Sequence, residues 1–146
     1  MKGQTLTTIG ITGLMGSGKS TALNFYKGKG IQTYDLDIEA KKLLKKDTRC
    51  YQQIIKIFGN EILNANHTIN RKRLRRIVFN NKKQREILNS IVHPELGNQI
   101  STLCNKLEKR GEKIIFLEGA LISKQSKIGS LLNYIIYIDA PKKVLN

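Results

Sequence analysis

An α/β fold, in which strands of a parallel sheet alternate with helices, is what this sequence predicts. Three observations carry it. A short Ile- and Thr-rich strand pattern runs directly into a glycine-rich turn and a helix. Two later apolar runs have the length of buried strands. Between them and the first βαβ unit lie about sixty residues with helical periodicity alone.

Taken in order, Leu6 to Thr12 reads as a buried strand that stops at Gly13. Lys19 to Lys27 sets Ala22, Leu23, Phe25 and Tyr26 at helical spacing, and Gly28 and Gly30 punctuate its end. Gly30 to Asp35 is a second strand, followed by a helix on which Ile38, Leu43 and Leu44 alternate with lysines. From Thr48 to Lys109 the apolar sets Ile54, Ile55 and Phe58, then Leu74, Ile77 and Val78, then Ile87, Leu88, Ile91 and Val92 mark successive helices without a strand signal. Pro94 is expected to open a fresh helix, since its ring and missing N–H suit a first helical turn, with Leu96, Ile100, Leu103 and Leu107 as that helix's buried stripe. Lys113 to Glu118 and Tyr134 to Asp139 are continuous apolar runs of the kind found in parallel strands covered on both faces. The expected organisation is one domain, with a core over residues 5–47 and 111–146 and a helical insertion over about 48–110.

At 146 residues the chain is the size of one domain, and 40% hydrophobic residues suffice for a core. No unbroken apolar stretch reaches spanning length, and the N-terminus lacks the apolar region and cleavage pattern of a signal peptide, so no membrane partner is expected. Cys50 and Cys104 suggest neither a disulfide framework nor a zinc pattern, and a reducing cytoplasm is the expected setting. The net charge of +15 fits either a polyanion-binding surface or a general lysine bias of the kind seen in AT-rich genomes, alongside twenty isoleucines and twelve asparagines.

Chemistry enters at Gly13, Leu14, Met15, Gly16, Ser17, Gly18, Lys19 and Ser20, which satisfy G-x-x-x-x-G-K-[ST] between a predicted strand and a predicted helix. Small residues let successive backbone N–H groups converge on phosphates, and the following helix presents its positive end to them. In such a P-loop Lys19 reaches the β- and γ-phosphates of ATP, Ser20 offers its hydroxyl to Mg²⁺, and Thr21 completes the nucleotide-binding set. A dinucleotide fingerprint does not fit, because it gives the Lys-Ser pair no role.

Asp35, Asp37 and Glu39 follow the second strand, where the loops of an open parallel sheet surround a ligand. A kinase needs a carboxylate to orient or deprotonate the acceptor hydroxyl; Asp37 and Asp35 are the candidates, and either could instead cap the following helix. No N-K-x-D guanine-specificity string is present. Glu118, closing the third strand, is placed to hold a magnesium-bound water or to anchor Lys19 or Ser20, and Asp139 stands at the end of the fourth. Arg71, Lys72, Arg73, Arg75, Arg76, Lys82, Lys83 and Arg85 make an amphipathic basic region that is either a solvated face or a docking surface for a phosphate-bearing acceptor. It lacks the aromatic interleaving of single-strand binders, so nucleic acid is not expected as a partner. His67 lies in a polar loop pattern, whereas His93 beside Pro94 could cap a helix or contact phosphate.

Taken together, ITGLMGSGKST at Ile11 to Thr21, the Asp-x-Asp of Asp35 and Asp37, TINRKRLRRIVFNN at Thr68 to Asn81 and IVHP at Ile91 to Pro94 resemble the dephospho-CoA kinase family. The resemblance implies a P-loop NTP hydrolase fold with a nucleoside-monophosphate-kinase-like parallel sheet and a helical acceptor-binding insertion. It implies transfer of the ATP γ-phosphoryl group to the ribose 3′-hydroxyl of dephospho-CoA, with Asp37 on the position of the proposed base and Asp35, Arg71 and His93 on acceptor-binding positions. Two departures accompany it. Where the family has a Pro-Leu-Leu segment with a nearby acid after the third strand, this chain has Glu118, Gly119, Ala120, Leu121, Ile122 and Ser123, which align to it in either of two registers one residue apart, and the family's arginine-bearing lid, fifth strand and covering helices have no counterpart before Asn146. The expectation is therefore of a chain truncated before the lid that binds nucleotide weakly and turns over slowly. The alternatives are another P-loop small-molecule or nucleotide kinase, or a nucleotide-binding protein with little catalysis.

Overall fold

The computed structural model describes residues 5–13, 18–119, 122 and 127–139. Its elements are β1 (Thr7–Gly13), α1 (Lys19–Gly28), β2 (Gln32–Asp35), α2 (Leu36–Leu43), α3 (Arg49–Phe58), a 3-10 turn (Asn60–Ile62), α4 (Arg71–Phe79), α5 (Lys82–Lys109), β3 (Ile114–Glu118), α6 (Lys127–Ser130) and β4 (Tyr134–Ile138). They form two compact units, Met1–Asp37 with Gln99–Asn146, and Ile38–Asn98.

The first unit holds the sheet, in the order β2-β3-β1-β4 with every neighbouring pair parallel. β3 shows why this sequence makes an interior strand. Alternation sends Phe116 to one face and Ile115 and Leu117 to the other, and all three are buried, so the sheet is covered on both sides at β3; β4, at the edge, departs from the expectation of a strand covered on both faces, with Tyr134, Ile136 and Tyr137 exposed. On the first face Phe116 joins Ile11 and Leu23 in a cluster flanked by Ile9, Tyr26, Ile31 and Ile138. The Tyr26 and Phe116 rings stack there at 4.7 Å, which seats α1 on the sheet. Full burial of each such side chain contributes about 1.5–3 kcal/mol.

The other face needs a residue without a side chain. A Cβ on Gly10 would lie 2.6 Å from Leu132 Cδ1 and 3.3 Å from Ile122 Cγ2, so glycine is what lets the segment before β4 close on β1. That segment is also latched by polar groups. Thr8 N–H donates to Asn133 Oδ1 at 2.8 Å, the Thr8 hydroxyl donates to the Leu131 carbonyl at 2.8 Å, and Asn133 N–H donates to the Thr8 carbonyl at 2.9 Å. With Thr8 buried, this exchange satisfies groups that would otherwise be stranded.

The second unit is helical, with Leu43, Cys50, Ile54, Ile62, Ile69, Leu74 and Val92 in its interior. Thr48 caps α3 by accepting from Tyr51 N–H, and Asn70 caps α4 by accepting from Arg73 N–H. The turn between them contains one isolated antiparallel bridge, Leu63 with Ile69, in a region whose sequence carries no strand signal. It is held by the Tyr51 hydroxyl, which donates to the carbonyl of His67.

The expectation at Pro94 is overturned: α5 runs unbroken through it for 28 residues. Pro94 cannot donate to the Ser90 carbonyl, but both residues are exposed, so water can serve that carbonyl. Val92 precedes it and Leu96 and Ile100 follow it as one buried stripe, and their burial outweighs the lost bond. His93 accordingly has no helix start to cap. Among the described residues no helix is long and apolar enough to cross a membrane.

Replacing Gly10 with alanine is expected to destabilise the fold by about 1–3 kcal/mol through overpacking against Leu132 and Ile122. Urea unfolding at constant m-value measures it, and an unchanged midpoint would show that Leu132 rotates aside at no cost.

Candidate functional site

Parallel register sets the site. β1 and β3 pair so that Ile11 is opposite Glu118, and β2 and β3 pair so that Asp35 is opposite Glu118. The ends of three strands thus share one edge. From β1 the chain passes to β2 on the far side of β3, and from β3 it passes to β4 on the far side of β1, so these adjacent strands send their continuations in opposite directions. A ligand crevice in an open α/β sheet lies outside such a pair.

Of the glycine-rich loop, Leu14, Met15, Gly16 and Ser17 lie outside the described residues. Gly13 ends β1, and Gly18 stands immediately before α1 with φ 92°, a left-handed conformation that favours glycine. Ala22 N–H closes the first turn on the Gly18 carbonyl at 3.1 Å. Lys19, Ser20 and Thr21 therefore occupy the positive N-terminal end of α1, with Ser20 and Thr21 exposed.

Lys19 turns to β3: its Nζ lies 3.8 Å from Glu118 Oε1, and the two side chains are only 16% and 21% exposed. Asp35 Oδ1 accepts the N–H of Asp37 at 2.9 Å, an interaction that caps α2 and sets the turn carrying Asp37. The capping possibility at Asp35 is thus realised. Glu118 feels the whole group. Burial raises its carboxyl above the ordinary range, Asp35 adds to the rise, Lys19 opposes it, Asp37 raises it further and Lys27 lowers it slightly. Lys19, Asp35, Asp37 and Glu118 are brought into one electrostatic cluster. Asp139 is exposed beyond β4, a strand separated from β3 by β1.

The remaining candidates lie in the helical unit. Arg71 is the first residue of α4 and exposed, and His93 is half-buried inside α5, where burial lowers its pKa. The basic run divides by role. The Arg73 guanidinium donates to the Glu61 and Leu63 carbonyls at 3.2 and 3.1 Å, and that of Arg85 donates to Val78 and Phe79 carbonyls at the end of α4. These two arginines hold backbone together. Sequence reasoning missed a second basic set, Lys41, Lys45 and Lys46, which meets Arg71 and Lys72 around a cleft of about 650 Å³. Its one signal was the lysine alternation along α2.

With Glu118→Gln the empty protein is expected to be more stable than the parent at neutral pH. A carboxyl whose folded pKa is raised weakens the fold as pH climbs from its unfolded to its folded value, and the penalty persists above that. The gain should shrink toward zero as pH falls below the ordinary carboxylate range. Thermal melts of both proteins across that range measure it, and a variant no more stable than the parent at neutral pH would contradict this balance.

The profile of the CoaE dephospho-CoA kinase family matches residues 7–144. A dephospho-CoA kinase of Listeria monocytogenes is 36% identical over 131 residues, covering 90% of this chain and 65% of that protein. One of Fusobacterium nucleatum is 41% identical over 114 residues, covering 78% of this chain and 57% of that protein. Among solved structures, the dephospho-CoA kinase from Campylobacter jejuni superposes with a TM-score of 0.69 at 27% identity, over 89% of this chain and 65% of that one. A Thermus thermophilus crystal structure superposes with a TM-score of 0.77 at 26% identity, over 97% of this chain and 69% of that one. The chain thus spans about two thirds of the length of such relatives. With a parallel sheet, a G-x-x-x-x-G-K-S sequence between β1 and α1 and a match over nearly its whole length, it belongs to the dephospho-CoA kinase family.

Proposed function

We propose that the chain carries out the reaction its relatives are named for, moving the γ-phosphoryl group of ATP to the ribose 3′-hydroxyl of dephospho-CoA to give CoA and ADP. The observation that supports this most is the cluster of Lys19, Glu118, Asp35 and Asp37 at one sheet edge, with Lys19 at the start of α1. Gly13 to Thr21 receive the nucleotide, backbone N–H groups and the helix end facing its phosphates. Arg71 and His93 contribute to acceptor binding.

In this scheme the Asp37 carboxylate takes the proton of the acceptor hydroxyl as that oxygen bonds to the γ-phosphorus. The bond from phosphorus to the β–γ bridging oxygen breaks, and ADP leaves with its electron pair. Lys19 meets the charge that spreads over the transferring group. Asp35, engaged with Asp37 N–H, orients the turn rather than acting as base.

The oxygen donors present suit Mg²⁺, which the Ser20 hydroxyl and, through water, Glu118 would hold. Among the described residues no three His, Cys, Asp or Glu converge as a cage, and Mg²⁺ commonly takes one or two protein oxygens and keeps its waters. When bound, the ion supplies positive charge to the phosphate oxygens. A cytoplasmic setting accompanies this reading, in keeping with the free thiols of Cys50 and Cys104.

Phosphoryl transfer from labelled ATP, assayed against dephospho-CoA, nucleosides and nucleoside monophosphates, tests the acceptor. Label is expected on dephospho-CoA alone, and transfer to a nucleoside or its monophosphate instead would assign a different kinase. Asp37→Asn should lower kcat about 10²- to 10⁴-fold while ATP affinity stays within about twofold. Undiminished turnover in that variant would remove Asp37 from the role of base.

A further inference from the structure

Within the Ile38–Asn98 unit, the hairpin that leads into α4 is buried at its base, through Ile62 and Ile69, but not at its tip. Asn64, Ala65, Asn66 and His67 are all exposed, so apolar burial does not secure the turn they make. His67 N–H donates to the Asn64 carbonyl at 2.9 Å, and Asn64 N–H donates to the Thr68 carbonyl at 2.8 Å. This closure sets His67 where such hairpins place a left-handed residue, usually glycine. His67 adopts that conformation, with φ 64°, against the crowding of its own Cβ. The turn is therefore one that gains from a restraint outside itself.

Tyr51 supplies the restraint. Its backbone lies in the first turn of α3, fixed there by the Thr48 cap, and its ring is buried. The hydroxyl at the far end of that ring donates to the carbonyl of His67, the residue with the disfavoured backbone. The tie acts in both directions, because releasing the turn would leave a buried phenol without its partner. From the turn the constraint passes to α4 through Asn70. Asn70 Nδ2 donates to Asn64 Oδ1 at 3.0 Å, Asn70 N–H donates to the Ile62 carbonyl at 2.7 Å, and Asn70 Oδ1 accepts Arg73 N–H at 3.1 Å as the cap of the helix. Arg71 follows that cap directly, so what fixes the turn fixes where Arg71 begins.

We propose that Tyr51 is a positioning residue for acceptor binding: its hydroxyl holds His67 in the left-handed turn, and the turn, through Asn64 and Asn70, holds the start of α4 and with it Arg71. Tyr51 touches no substrate in this scheme. A phenylalanine at position 51 keeps the packing of the ring and loses the tie. A glycine at position 67 takes the left-handed conformation without a Cβ and makes the tie dispensable. The role of Arg71 toward the acceptor rests on the kinase reading above, whereas the tie itself stands on the hairpin alone.

Tyr51→Phe, His67→Gly and the double variant of the full chain test both parts. In Tyr51→Phe the His67 and Asn70 amides are expected to exchange their hydrogens about five- to tenfold faster than in the parent, as loss of one hydrogen bond allows, with α3 unchanged. Calorimetry is expected to show dephospho-CoA bound about five- to tenfold more weakly by Tyr51→Phe and ATP bound within about twofold of the parent. Adding His67→Gly should restore both the exchange rates and the dephospho-CoA affinity. A merely structural loss would leave the affinity of the folded molecules as it was. Unchanged amide exchange overturns the tie, and faster exchange with unchanged dephospho-CoA affinity overturns the positioning role. A double variant that binds as weakly as Tyr51→Phe overturns the route through His67. If Tyr51→Phe does not fold, the double variant decides: parent-like affinity upholds the proposal, and weak binding or failure to fold overturns it. A parent chain that binds ATP but no dephospho-CoA refutes the kinase reading, and the acceptor role of Tyr51 with it, while amide exchange still decides the tie.

Discussion

Glu118 is opposite Ile11 on one side and Asp35 on the other, and this parallel register is what the rest of the site depends on. In a parallel sheet all strands end at the same edge, so the residue that closes β3 necessarily stands beside the residues that leave β1 and β2. Lys19, six residues beyond the end of β1, reaches Glu118 because α1 is seated on the same sheet by Leu23 and Tyr26 against Ile11 and Phe116. A slip of one residue in β3 would turn its side chains to the opposite faces, burying the wrong set and removing the carboxylate from Lys19.

The cluster is poised rather than neutralised. Glu118 and Lys19 are largely shielded from solvent, Asp35 is half-buried and Asp37 is exposed, and it is burial first, then Asp35, that raises the Glu118 carboxyl. A carboxyl shifted by burial together with neighbouring charges in a cleft is a mark of chemically active sites, which accords with the function proposed above. The N-terminal end of α1 adds a positive field to the edge at which the β2 and β3 carboxylates stand.

Charge in the helical unit has a different logic. Arg73 and Arg85 spend theirs on backbone carbonyls, tying the turn before α4 and the end of α4 in place. Arg71, Lys72 and the lysines around α2 instead surround open space. The same basic run therefore contains both scaffold and surface, and their division follows from which side chains find carbonyls within reach.

The strand-turn-helix around Lys19, the two apolar strands and the helical stretch between the second and third strands were legible from the chain alone, because hydrophobic period and glycine placement are local properties. The positions of Gly18 and Lys19 at the start of α1 and of the acids that end β2 and β3 could be read for the same reason. What was not legible was decided by contacts distant in sequence. Pro94 stays inside α5 because Val92, Leu96 and Ile100 share one buried stripe and leave its ring toward solvent. Glu118 pairs with Lys19 across 99 positions because β3 inserts beside β1, and the lysines of α2 meet α4 because the intervening turn folds back through the Leu63–Ile69 bridge. Local pattern names the elements; which side chains face one another depends on how those elements bury their apolar faces, and that is a property of the folded whole.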